Sequence, residues 1–353
     1  MFSLSNQTKK LRLPQPLQLE SGQLLDAVEI AYRTWGRLNQ TADNAIIVCH
    51  ALTGSADADQ WWGTLIGPGK AIDTDRYFVV CSNTLGSCYG TTGPTSLASD
   101  GRWWGHRFPT LTIRDQVQAQ QLLADQLGIQ GIHAVIGGSL GGLQALEWPW
   151  LDPERVRSVI SIAASGRHSA WCLAWNEAQR MALQSDPNYR NGDYSQDALP
   201  TEGLAAARAV AMVSYRSPQS LNKRFSRHLL SHTRGEEAHE SDDFAVRSWI
   251  RFHGSALVNR FDAHSYRILL DAMDTHDIAR GRGEYFNILE QMQLPMLIGS
   301  ISTDALYVPE DQLELVRYCP NAKLVAIEST HGHDGFLIDA SSFANQVDAF
   351  LKI

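Results

Sequence analysis

HAVIGGSLGGLQALEW, residues 133–148, sets an apolar run against a serine fenced by Gly137, Gly138, Gly141 and Gly142, and follows it with a helix-like stretch. Two readings compete. The glycines could simply let a helix pack closely on a strand, or they could hold Ser139 in a strained, exposed turn because it has chemistry to do. With Gly at 27 of 353 positions, both glycines of a G-x-S-x-G surround a given serine by chance roughly once in 170. Context sharpens the motif, because it follows an apolar strand and precedes a helix, the arrangement a nucleophile elbow requires.

Working outward, short apolar runs ending in Gly, Ser, Asn or His recur at AIIVCH (45–50), YFVVCSN (77–83), VRSVISIAAS (156–165), PMLIGSIS (295–302) and KLVAIES (323–329). They are too short for helices and too uniformly apolar for a sheet with one wet face, so they read as strands buried on both sides. Between them TIRDQVQAQQLLADQLGI (112–129) has helical spacing, and the helix opened by GGLQALEW is expected to stop near Pro149. Strands alternating with helices predict an α/β fold with a mostly parallel central sheet. Over residues 166–290 the rhythm breaks into helical periodicity alone, in AWCLAWNEAQRMALQ, GLAAARAVAMVSYR and SYRILLDAMDTHDIARG. The expected organisation is therefore a core of residues 1–165 and 291–353 with a helical lid, 166–290, inserted in it. The tract SHTRGEEAHESDDF (231–244) reads as a solvated loop.

A formal net charge of −8 gives no nucleic-acid footprint. No apolar run approaches the roughly 18 residues of a membrane helix, and the N-terminal MFSLSNQTKKLRLPQPL lacks the apolar centre of a secretory signal. Five scattered cysteines, without a CxxC pair, predict a reduced cytoplasmic chain and no metal. GPGK (67–70) fails as a phosphate loop, since Thr64 replaces the first required glycine and Ala71 the Ser/Thr that would hold Mg²⁺.

A serine hydroxyl at neutral pH needs a histidine base oriented by a carboxylate. With an elbow serine the order is Ser…Asp…His, on loops after late strands. PMLIGSISTDALYVPEDQ puts Asp304 just past one strand, and KLVAIESTHGHDGFLID puts His331 and His333 just past the next. Spacing does not choose between the two histidines. HGHD also lacks the further ligands a metal site would need. An oxyanion hole takes the N–H of the residue after the nucleophile, Leu140, and one from the loop after an earlier strand. In IIVCHALTG that second donor is expected to be Leu52.

From about residue 28 onward the chain resembles the homoserine O-acetyltransferase family of α/β-hydrolase-fold acyltransferases. The blocks AYRTWGRLN, NAIIVCHALTGSAD, WWGTLIGPGKAIDTDRYFVVCSNTLGSCYGTTGP, FPTLTIRDQVQAQ, GGSLGGLQALEW, GLAAARAVAMVSYRS, FDAHSYRILLDAMDTHD and STHGHDGFLID occur in its order. The stretch SGRHSAWCLAWNEAQRMALQSDPNYRNGDY is most similar to the branch that includes fungal members. The resemblance implies ping-pong transfer of acetyl from acetyl-CoA to the hydroxyl of L-homoserine through an acyl-serine, with no permanently bound cofactor. It implies Ser139 as nucleophile, Asp304 as acid and His333 as base, with Leu52 and Leu140 at the oxyanion. It also implies an acceptor pocket with Arg208 for the substrate carboxylate and Tyr215 one helical stretch on, Asp334 for the amino group, and a homodimer joined through the lid. Alternatives are serine as acceptor, succinyl-CoA as donor, or a lid-covered esterase.

Overall fold

Ile46 and Val48 enter one apolar cluster while Ile47 and Cys49 enter another, so the strand Ala45–Cys49 is covered on both faces. The computed structural model describes residues 4–234 and 237–352. The strands of its main sheet are β1 (Lys9–Arg12), β2 (Glu29–Trp35), β3 (Ala45–Cys49), β4 (Phe78–Ser82), β5 (Ile132–Gly138), β6 (Val159–Ile162), β7 (Met296–Ile301) and β8 (Ala322–Ile327). Their order is β1-β2-β4-β3-β5-β6-β7-β8. Only the pairings of β2, with β1 and β4, are antiparallel; from β4 to β8 every pairing is parallel.

Helices α1 (Ile113–Gln126) and α2 (Leu140–Leu151) bury Val117, Leu123, Leu143 and Leu146 against one face. A reciprocal cap starts α1: the Thr112 hydroxyl accepts from the Asp115 N–H at 3.2 Å, and the Asp115 carboxylate accepts from the Thr112 N–H at 2.8 Å. The segment between β6 and β7 holds α3 (Ala170–Gln184), α4 (Thr201–Tyr215), α5 (Ala245–Val258) and α6 (Ala263–Asp274). After β7 come α7 (Pro309–Tyr318) and α8 (Ala344–Leu351), and α8 covers the opposite sheet face with Val347, Phe350 and Leu351.

Two expectations need correcting. The tract 231–244 is not a loop: backbone pairing joins Leu229–Arg234 to Glu237–Phe244 in an antiparallel hairpin, with residues 235–236 outside the described residues. Its sequence carries no apolar alternation, the only signal that periodicity detects. The helix after Ser139, α2, ends at Leu151, near Pro149 as expected; the proline sits in its last turn, where it forfeits a single hydrogen bond. Finally, β8 is an edge strand whose Lys323, Leu324 and Ala326 are exposed, so the run at 323–329 is not a strand buried on both sides.

Candidate active site

Ser139 joins β5 to α2 with φ 57° and ψ −126°, a region that costs a side-chain-bearing residue about 1–3 kcal/mol. Its surroundings hold it there. The Ser139 N–H donates to the Ile162 carbonyl at 2.9 Å, and its own carbonyl accepts from Gly142 and Leu143 at 2.8 and 3.1 Å. Two of the fencing glycines are explained by close approach. A Cβ on Gly141 would lie 2.1 Å from the Cys49 carbonyl oxygen, so the end of β3 and the start of α2 meet backbone to backbone. A Cβ on Gly138 would lie 2.6 Å from the Phe336 ring.

Asp304 follows β7, and His333 follows β8. The His333 Nδ1–H donates to Asp304 Oδ2 at 2.7 Å, while Asp304 Oδ1 accepts the backbone N–H groups of Leu306 at 2.8 Å and Tyr307 at 3.1 Å. Both side chains are buried, and His333 Nε2 has no partner among the described residues. Burial alone would lower the His333 pKa; the Asp304 charge and hydrogen bond, with a smaller contribution from Asp334, outweigh it and raise the pKa above the ordinary imidazole value. The ring lies 5.5 Å from each of Tyr215, Tyr307 and Phe336, centroid to centroid. Since Phe336 also packs on Gly138, it links the histidine to the serine turn.

His331, the alternative spacing left open, faces elsewhere. Its Nδ1 lies 3.2 Å from Arg216 Nη1, and its backbone N–H donates to Ser329 Oγ. The two histidines therefore diverge, and no group of three or more metal-ligating side chains converges among the described residues.

Leu140 is the first residue of α2, where N–H groups have no intrahelical acceptor. Leu52 lies in a turn closed by the Gly54 N–H on the Ala51 carbonyl at 2.8 Å. The Cys49–Gly141 approach brings these two segments together. Arg208 and Tyr215 share α4, with the guanidinium 5.3 Å from the Tyr215 ring, and Arg208 has no carboxylate partner among the described residues. Arg208 lines a cavity of about 360 Å³ with Ala51, Thr53, Gly54, Tyr89 and Arg260. A larger cavity of about 480 Å³ includes Arg102, Trp103, His106 and Asp193 but none of the predicted site residues. Chemistry, not volume, therefore selects the site. Asp334 is already engaged: Arg216 Nε stands 3.1 Å from its Oδ2, close enough for an ion pair but too poorly aimed for a hydrogen bond.

The sequence reading missed His50, Arg216, Arg260 and Tyr307. For His50 a signal existed in its position at the mouth of a buried strand. Arg260, which donates to the Thr53 carbonyl at 2.7 Å and lies 2.8 Å from Tyr89 Oη, comes from the turn between α5 and α6, far along the chain, and left no local signal.

Residues 44–340 match the family model described as the α/β hydrolase fold. The homoserine O-acetyltransferase of Trichormus variabilis is 49% identical over 348 residues, 98% of this chain and 94% of the relative. Among solved structures, the homoserine O-acetyltransferase from Bacillus anthracis superposes with a TM-score of 0.89 at 26% identity, covering 98% of this chain and 97% of its own. The crystal structure of esterase E22 gives 0.88 at 28% identity, with 98% and 99% covered.

Proposed function

The chain belongs to the homoserine O-acetyltransferase family of the α/β-hydrolase fold, and from that premise we propose that it transfers acetyl from acetyl-CoA to the hydroxyl of L-homoserine through an acetyl-serine. The observation that carries this reading is the buried Asp304–His333 pair, 2.7 Å apart, whose outer nitrogen is bare while Ser139 is held in its strained turn. In the first half-reaction Ser139 Oγ attacks the thioester carbonyl and His333 Nε2 takes its proton. The oxyanion accepts the N–H groups of Leu52 and Leu140. Collapse breaks the C–S bond, and the departing thiolate takes the proton from His333. The homoserine hydroxyl then attacks the acetyl-serine, with His333 as base, and Ser139 regains its proton as the product ester leaves.

The acceptor is oriented at both charged ends. Arg208, free of any protein carboxylate among the described residues, can grip the substrate carboxylate in a two-pronged, charge-assisted pair. Tyr215 lies between Arg208 and His333. Asp334 offers the substrate ammonium its remaining capacity beside Arg216. Residues 166–290 act as the lid over this site. An alcohol pinned within reach of the acetyl-serine has a large orientational advantage over unpositioned water, which is how a hydrolytic triad comes to transfer. The product is an activated ester suited to the later steps of methionine biosynthesis.

Exposed Trp171, Met181, Val213 and Phe252 on α3, α4 and α5 support a homodimer, and five buried unpaired cysteines support a reducing, cytoplasmic setting. No helix among the described residues is long and apolar enough to cross a membrane. Sedimentation at a monomer's mass, or recovery in an exported fraction, would count against these two points. The likeness to esterase E22 makes hydrolysis the second reading. Thiol release from acetyl-CoA and from succinyl-CoA, each with homoserine, with serine and with no acceptor, separates them. The proposal expects acetyl-CoA turnover that depends on homoserine, together with a single acetyl adduct on rapid quench that is absent in Ser139→Ala. Sustained acceptor-independent turnover would favour the esterase.

A further inference from the structure

His50 lies at the mouth of β3, fully buried, and takes no part in the chemistry described above. Its two ring nitrogens meet backbone groups whose roles are fixed. Nδ1 is 2.8 Å from the Ala51 carbonyl oxygen, which can only accept, so Nδ1 carries the proton. Nε2 receives the Thr84 N–H at 3.0 Å, which can only donate, so Nε2 is bare. One neutral tautomer satisfies both. Burial holds it neutral, lowering the pKa to about 4 against the opposing pull of the Ala51 carbonyl.

The Ala51 carbonyl and the Leu52 N–H belong to one trans peptide plane and point in opposite directions. Whatever fixes the carbonyl therefore aims the N–H. Two donors fix it here, the His50 imidazole and the Gly54 N–H, the latter also at 2.8 Å. The turn closes over the ring tightly enough that a Cβ on Gly54 would lie 3.0 Å from His50 Cβ and 3.2 Å from Nδ1. We propose that His50 is a positioning residue for acyl transfer: it holds the Ala51 carbonyl away from the reacting centre so that the Leu52 N–H faces the oxyanion. A flipped peptide would present a carbonyl oxygen to that negative charge and turn stabilisation into repulsion. This inference rests on the acyl-serine reading, with Leu52 as an oxyanion donor.

The same buried network reaches the segment that carries the other donor. Thr84 Oγ1 lies 3.2 Å from His50 Nε2 and accepts from Gln144 Nε2 at 3.5 Å; Gln144 also bonds Gln116 and Gln120 at 2.9 and 3.0 Å. Gln144 is on α2, the helix whose first residue is Leu140. The two donor segments are thus referenced to each other through side-chain amides that water does not reach.

The test uses two substitutions that split the imidazole's functions. His50→Asn carries an amide N–H where Nδ1 stood and keeps hold of Ala51. His50→Gln carries an amide oxygen where Nε2 stood and keeps only Thr84. Losing one oxyanion donor costs about 10²–10³-fold in kcat, so His50→Gln is expected to fall by that much. Both acetyl-enzyme formation and its transfer to homoserine should slow, because each passes through an oxyanion, while KM for acetyl-CoA stays within a few-fold. His50→Asn should keep its kcat within about tenfold of the unmodified enzyme. Equal losses in the two variants, a loss confined to KM, or activity that simply follows the unfolding midpoint would overturn the positioning role. If His50→Gln does not fold, His50→Asn decides alone: a hundredfold slower acetylation burst overturns the proposal, and retention within about tenfold sustains it. Absence of any acetyl adduct on Ser139 in the unmodified enzyme would instead remove the acyl-serine reading itself.

Discussion

Replacing Asp304 by Asn tests the site at its most specific contact. Asp304 Oδ1 accepts two backbone N–H groups, so the asparagine carbonyl oxygen is drawn to that side and its NH₂ is turned toward His333. Two donors cannot face each other. The histidine must move its proton to Nε2, the nitrogen that has to be bare to accept the proton of Ser139. The variant also loses the charge that stabilises the imidazolium as it forms. With charge centres about 4 Å apart and an effective dielectric constant of about 20, that attraction is worth about 4 kcal/mol, or roughly a thousandfold in rate. Adding the wrong tautomer brings the expected loss in kcat to about 10³–10⁴-fold, with KM little changed. The pH profile gives an independent sign. On the proposed reading His333 is the base and works deprotonated, and its pKa stands above the ordinary value because Asp304 more than offsets burial. Without that charge burial prevails, the pKa falls, and the acid limb of kcat/KM moves to lower pH as the plateau drops. Rapid quench with acetyl-CoA at pH 5 to 9 measures both. A loss below tenfold with an unmoved acid limb would refute the reasoning.

His333→Ala should lose several orders of magnitude in turnover, whereas His331→Ala, which gives up only its contact with Arg216, should lose less than about tenfold; steady-state assays that reverse these losses would exchange the two assignments. Arg208→Ala should still form the acetyl-enzyme in a burst at near-normal rate yet turn over slowly and require far more homoserine, since in the proposed ping-pong sequence only the second half-reaction uses the amino acid. A fall in both phases would instead make Arg208 part of the donor site or the fold.

The parts of this fold that were legible in the sequence are those whose burial is local and periodic. Strands β3 to β7, covered on both sides, showed as continuous apolar runs, and α3 occupies Ala170–Gln184, the stretch its spacing predicts. β2, at Glu29–Trp35, passed unrecognised as a strand because Arg33 and Thr34 interrupt its apolar residues; Arg33 is nonetheless buried, its charge matched by Asp57 at 2.8 Å and by Asp59. Such a pairing depends on residues more than twenty positions away, which no local pattern records. The same division runs through the site. Ser139, Asp304 and the histidine pair stand at strand ends and could be found by order alone. The choice of His333 over His331 is three-dimensional, set by which ring meets Asp304 and which meets Arg216.

On the proposed reading, that choice also bears on how residues 166–290, as a lid, would serve the second half-reaction. The end of α4 is fastened to the loop carrying both histidines. Ser217 Oγ donates to the Thr330 carbonyl at 2.5 Å, Arg216 reaches His331 and Asp334, and a Cβ on Gly332 would lie 2.6 Å from the Ser217 nitrogen. Arg208 and Tyr215 precede this fastening on the same helix, and the Tyr215 ring is 5.5 Å from that of His333. On the proposed reading, the groups that grip the acceptor and the base that deprotonates it therefore move as one body. An opening motion that admitted acyl-CoA would have to occur elsewhere in residues 166–290, leaving the angle between bound alcohol and base unchanged. Orientation accounts for much of the rate advantage of a positioned alcohol over water. A lid hinged at this point would lose that advantage at each opening; one fastened there keeps it through both half-reactions.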